Sequence, residues 1–137
     1  MKKMNNKGFS LVELIVVIAI MAVLIGVLAP QFIKYVEKSR ETTDIQNIDT
    51  CVSAVRAYYA DRTFPSGGVT IKESGGVWTA DGVASGEDPL GSAGCANSKR
   101  KGTWTTSPQA AIAATGTVTY SGESDYYKVE NNQFVGK

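Results

Sequence analysis

The 137-residue chain contains no histidine, so the side chain most used for acid–base chemistry near neutral pH, and the commonest metal ligand, is missing. Serine and threonine are plentiful, but no nucleophile–base arrangement, phosphate loop or supported acid pair occurs. The sequence reads as a non-enzyme that needs no cofactor. Cys51 and Cys95 are too few for a thiolate zinc site and belong to no C-x-x-C pair, which leaves a disulfide or two thiols. Asp81, Glu87 and Asp88 in "ADGVASGEDPLG" are hard oxygen ligands on a loop. They lack the alternating spacing of an EF-hand and read as solvated acids, with no metal site expected. Lys99, Arg100 and Lys101 in "SKRKGTW" would hold phosphates beside Trp104, where a base could stack. One basic tripeptide is little, and a solubilising loop with a core tryptophan is the simpler reading; nucleic acid is not an expected partner. The most pointed residue is Glu13, a carboxylate inside a run that otherwise reads as lipid-soluble.

From Leu14 to Ala29, "LIVVIAIMAVLIGVLA" carries no polar side chain. With Phe9 to Glu13 the segment has 21 residues, about 32 Å as a helix and close to one hydrocarbon thickness. Lys2, Lys3 and Lys7 precede it, and the next charge after Glu13 is Lys34. The positive-inside tendency then puts the N-terminus in the cytoplasm and everything after Pro30 outside. A secretory signal cut after Ala29 would need cleavage before Pro30, a poor substrate. A plain anchor leaves Glu13 to be explained, because an ionised carboxylate at mid-membrane costs about 2.5 to 3.5 kcal/mol. Cleavage after Gly8 would place a new α-amine on Phe9, four residues before Glu13.

Gln31 to Ala60 contains no glycine or proline and predicts an uninterrupted helix. Pro30 is its expected flaw, a kink or loosening, with Gly26 one turn earlier adding freedom. Ile45, Ile48, Val52, Val55 and Tyr59 fall at 3-4-3-4 spacing and form one apolar stripe. Lys38, Arg40, Asp44 and Asp49 lie mostly elsewhere, on what reads as a solvated face. After Arg62 the composition changes: all but two of the 14 glycines lie there. "VTIKESGGVWT" predicts a hairpin at Gly75-Gly76, and residues 117–135 two or three strands joined by turns at Gly122 and Asn131-Asn132. "SPQAAIAAT", 107–115, predicts a short helical turn. The fold class is α+β, a long N-terminal helix packed against a C-terminal antiparallel sheet. Cys51 flanks the stripe, so a bridge to Cys95 is feasible and would close a loop of about 45 residues. Three of the 14 basic residues precede Phe9, so the body is slightly acidic despite the net charge of +1.

"KGFSLVELIVVIAIMAVLIGVLAPQF" resembles the N-terminus of type IV pilins and of the similar pseudopilins; the likeness is close to about residue 33 and looser to "AYYADRTFP". It implies a basic leader at 1–8, a transmembrane and assembly helix at 9–30, and a head at 31–137, with an amphipathic helix at 31–61 and a β-rich region at 62–137. A membrane prepilin peptidase and methyltransferase would cut after Gly8 and methylate Phe9. The Phe9 amine of one subunit would then neutralise Glu13 of its neighbour. The implied partners are that enzyme, membrane lipid, an inner-membrane assembly platform and other pilin subunits; the implied destination is a surface filament. A pseudopilin of a secretion or DNA-uptake machine, and a tethered binding domain that never polymerises, are the alternatives. Many pilins bracket their C-terminal region with a disulfide, and no cysteine after Cys95 is present to do so here.

Overall fold

The computed structural model describes Gly8, residues 10–91, Cys95 and residues 101–137. The basic leader residues, Phe9, Lys99 and Arg100 lie outside the described residues. One helix, α1 (Leu11–Tyr58), is followed by β1 (Val69–Ser74), β2 (Val77–Asp81), β3 (Thr106–Ile112), β4 (Val118–Glu123), β5 (Tyr127–Glu130) and β6 (Gln133–Gly136). This is the expected α+β layout. The chain forms two units, one through Val36 and one from Glu37 to Lys137.

In the first unit every large apolar side chain from Leu11 to Tyr35 is exposed, from Val16 at 48% to Leu11 at 73%. Helix is maintained through Gly26 and Pro30. Proline has no N–H, and the carbonyl it would have bonded, four residues back, belongs to Gly26.

In the second unit, β1 to β4 form an antiparallel sheet in the order β2-β1-β3-β4, and β5-β6 form a separate hairpin. The registers Ile71↔Ala80, Ile71↔Ala110 and Ala110↔Tyr120 set these side chains on one face. That face carries Val69, Ile71, Trp78, Ala110 and Ile112, which pack on Ile48, Val52, Val55 and Tyr59 of α1 as one core. Sheet and stripe cover each other as the 3-4 spacing requires, although Ile45, the first residue of the stripe, is only half-buried. The helix ends where Arg62 Nη1 donates to the Tyr58 carbonyl at 2.9 Å and its guanidinium lies over the Tyr58 ring, 4.2 Å from the centroid. A cation there complements the helix C-terminus.

Both turn assignments with paired small residues hold. Gly75 and Gly76 have φ of 63° and 85°, and Asn131 and Asn132 have 51° and 61°, as a two-residue hairpin loop of the primed type needs. Two expectations fail. Residues 107–115 are not a helical turn, since Thr106–Ile112 is β3. Alanine favours helix locally, but Pro108, Ala110 and Ile112 are buried at period two between β1 and β4, and this pairing outweighs propensity. A register irregularity between Thr106 and Gln109 accommodates Pro108. Gly122 is not a turn residue; it lies inside β4 with φ of 150°. A Cβ there would stand 2.8 Å from Pro108 Cα and 3.1 Å from Phe134 Cε1, so only glycine lets β4 approach both.

The Asn132 side chain covers the far margin of the sheet. Its Oδ1 accepts the Tyr120 N–H at 2.7 Å and its Nδ2 donates to the Val118 carbonyl at 2.6 Å. A carboxamide thus occupies the position of a neighbouring strand at the open edge of β4.

Candidate functional site

The N-terminal end of α1 holds the residues on which assembly chemistry would act. Gly8 is exposed, with nothing within 4 Å of an added Cβ. Ser10 Oγ accepts the Glu13 N–H at 3.3 Å, and Glu13 Oε2 accepts the Ser10 N–H at 2.8 Å. This is a reciprocal capping box, which satisfies two of the amide donors left over at a helix start. A carboxylate in the first turn also complements the helix dipole. Ser10 was missed in the sequence, although S-x-x-E before an apolar run is the signature of the motif. Oε1 of Glu13 takes part in no hydrogen bond among the described residues. Beyond it, α1 is long and apolar enough to cross a membrane, and the apolar window is entirely unburied.

Cys51 and Cys95 are joined in a disulfide with Cα atoms 5.7 Å apart. Both are buried, Cys51 completely. The bridge ties the middle of α1 to the segment between β2 and β3, and the Cys95 N–H donates to the Leu90 carbonyl at 3.1 Å.

A second polar cluster overturns the reading of Asp44 as part of a solvated face. Asp44 is fully buried and Glu41 is 1% exposed. They extend the apolar stripe of α1 by one turn and meet the loop before β3. Asp44 Oδ1 accepts the Lys101 N–H at 2.8 Å; its Oδ2 accepts the Gly102 N–H at 2.7 Å and the Trp104 indole N–H at 2.9 Å. Three donors to one carboxylate make burial of the charge tolerable. Gly102 fits because a Cβ there would lie 2.5 Å from Glu41 Cγ.

Ser124 organises the other side of the cluster. Its Oγ accepts the N–H groups of Tyr126 and Tyr127 at 3.1 and 3.0 Å and donates its proton to Glu41 Oε2 at 2.5 Å. Burial pushes the Glu41 carboxyl above its ordinary range. The Ser124 hydrogen bond opposes this, while the charges of Glu37, Asp125 and Asp44 add to the rise. Trp104 stacks on Tyr127 at 6.4 Å and meets Phe134 edge-on at 5.9 Å. It is a core residue, 7% exposed, and its face is occupied by protein. The loop acids are likewise engaged within the chain: Asp81 pairs with Lys72, Glu87 accepts the Tyr59 hydroxyl at 2.5 Å, and Asp88 accepts the Gly91 N–H at 2.9 Å. The Glu87 contact and burial, burial being the larger cause, push the Tyr59 hydroxyl up to about 12.

Residues 3–29 match the family described as "Prokaryotic N-terminal methylation motif", a span that contains Gly8, Phe9, Ser10 and Glu13. The chain is similar to the "Type IV narrow pilus major component PilA5" of Thermus thermophilus, at 33% identity over 56% of this chain and 72% of the relative. It is also similar to the "Fimbrial protein EcpC" of Eikenella corrodens, at 34% identity over 63% of this chain and 48% of that protein. The "Type IV major pilin protein PilA" of Myxococcus xanthus matches at 30% identity over 42% of this chain and 26% of that protein. The chain therefore spans most of the first relative but about half and a quarter of the other two. No solved structure matches at a significant level. A capped, fully exposed apolar helix carrying the methylation motif, a sheet packed on its continuation, and these relatives together place the chain in the type IV pilin family.

Proposed function

We propose that the chain is a prepilin, cleaved between Gly8 and Phe9, methylated on the new amine, and polymerised into a pilus on the cell surface. The observation that carries this reading is the single carboxylate, Glu13, at the head of an apolar helix face from Leu14 to Ala29 whose large side chains are all exposed among the described residues. Bilayer lipid covers that face before assembly, with the N-terminus cytoplasmic and the head outside. In the polymer, the same face packs against identical helices. Glu13 enters that apolar bundle with Oε1 free of hydrogen bonds among the described residues, and the Phe9 amine of a neighbour supplies the compensating charge. Methylation leaves the amine protonatable, so the pair survives the modification.

The partners on this reading are the prepilin peptidase and methyltransferase, an inner-membrane assembly platform and other copies of the chain. The stretch from Ala22 to Pro30, where Pro30 deprives the Gly26 carbonyl of its donor, is the place for the helix to loosen during packing. Mass spectrometry of the N-terminal peptide from sheared surface filaments is the test. A methylated Phe9 is expected, and intact fibres still carrying Met1 to Gly8 would overturn the proposal.

A further inference from the structure

The strand order leaves β2 at one margin of the sheet. The four consecutive residues Val77 to Ala80 line a single groove of about 350 Å³ whose far wall is the segment from Glu87 to Leu90. Successive strand residues point to opposite faces. A groove touched by all four therefore runs along the edge of β2 and not over one face of the sheet.

Among the described residues the main chain of that edge is unpaired at alternate positions. The two-residue loop Gly75-Gly76 closes on Ser74↔Val77, which makes this a hydrogen-bonded pair, and pairs alternate along an antiparallel ladder. Trp78 and Ala80 fall at the alternate positions, so their N–H and C=O groups point away from β1, toward the open side. None of the four groups has a partner among the described residues. Trp78 carries one more donor in want of an acceptor, since its buried indole N–H has no hydrogen-bond partner among the described residues. At the opposite margin Asn132 fills the corresponding need of β4 from within the chain.

The lining names the chemistry of an occupant. Val77, Trp78, Val83 and Leu90 are apolar, Glu87 and Asp88 bring two carboxylates, and no lysine or arginine is among the described residues that line the groove. The hydrogen bonds that Glu87 and Asp88 accept orient these carboxylates without cancelling their charge. We propose that this groove binds an extended segment of another polypeptide, added beside β2 as a further strand, with apolar residues alternating with lysine or arginine. Main-chain bonds to Trp78 and Ala80 would give affinity, and the alternation would place apolar side chains in the groove and cations at its acidic wall. Val77 to Ala80 of β2 present about 13 Å of edge, enough for a segment of four or five residues.

The test titrates the full chain in detergent micelles with the probe peptide acetyl-Val-Lys-Val-Lys-Val-amide and follows the Trp78 indole and the Trp78 and Ala80 amide signals by NMR. Saturable shifts of these three signals and slowed exchange of the Ala80 amide are expected. E87Q/D88N keeps both internal hydrogen-bond acceptors while removing two charges, and should weaken binding about tenfold. A80P deletes an N–H that β1 does not use and should weaken binding at least as much. If A80P fails to fold, the double variant and the amide shifts carry the test. Shifts centred on other residues, equal affinity in E87Q/D88N, or no saturable binding would overturn the proposal. Loss of the same amide signals on self-assembly without peptide would also overturn it, because the occupant would then be a second copy.

Discussion

The Trp104 indole N–H donates to Asp44 Oδ2 at 2.9 Å, joining residues 60 apart in sequence inside the head. The backbone N–H groups of Lys101 and Gly102 converge on the same carboxylate. This arrangement fixes the loop that leads into β3, and with it the satellite core of Trp104, Tyr127 and Phe134.

Asp44→Ala leaves three donors, two of them buried, without an acceptor. Each such loss costs about 1 to 3 kcal/mol, and the losses are not fully additive. The expected destabilisation is about 3 to 5 kcal/mol, read by urea unfolding followed through tryptophan fluorescence. A cost below about 1 kcal/mol would show that water replaces the carboxylate at little penalty.

Glu41 predicts a pH dependence of definite sign. Its carboxyl titrates higher in the folded chain than its ordinary value of 4.5, so the folded state holds the proton more tightly. Its contribution to stability is therefore present at low pH and falls as pH rises from about the ordinary value through the raised one. Glu41→Gln keeps an acceptor for Ser124 and removes that fall, so the variant should gain stability relative to the parent as pH rises through this window. Glu123, lowered chiefly by its hydrogen bond to Lys137, contributes with the opposite sign. Comparison of variant with parent across pH isolates the Glu41 part; parallel stability profiles would refute it.

The Cys51–Cys95 bridge closes a loop of sequence separation 44. In the chain-entropy account such a loop stabilises the folded state by about 4 kcal/mol. The Cys51→Ala, Cys95→Ala double variant should unfold at correspondingly lower urea concentration. Intact mass after alkylation, with and without reductant, should show both cysteines protected in the parent chain.

Two roles for Glu13 can be separated. Ser10→Ala removes one half of the capping box, costs about 1 kcal/mol at the helix start, and should still assemble. Glu13→Gln retains an acceptor for the Ser10 N–H but not the charge, and Glu13→Ala removes both. If the neighbour's amine is the partner, both Glu13 variants should insert and be cleaved yet yield few filaments, because an unpaired buried cation costs about 3 to 5 kcal/mol. Normal filament yield from Glu13→Gln would sink the pairing.

Local signals in the sequence carried far where they coincided with tertiary demands. The spacing of Ile48, Val52, Val55 and Tyr59 read correctly as a stripe seeking a cover, and the paired glycines and asparagines marked two hairpins whose φ angles require them. Residues 107–115 were misread because alanine's helix preference was visible and the two flanking strands were not. Asp44 was misread, and Glu41 overlooked, for a related reason. Charged residues ordinarily stay in water, and the donors that make their burial possible come from Lys101, Gly102, Trp104 and Ser124, more than fifty positions away. No local pattern announces such a meeting. At the N-terminus the opposite holds: Glu13, Ser10 and the apolar run are adjacent, so that end was legible apart from the cap.

Asn132 has a consequence that reaches past a single molecule. A chain that packs with identical copies brings open sheet margins together at high local concentration, which favours indiscriminate stacking. By plugging β4 with its own carboxamide, each head becomes inert on that flank, and crowding there produces no runaway ribbon. Replacing that amide with a side chain unable to bridge Tyr120 and Val118 would be felt first as clumping of purified material.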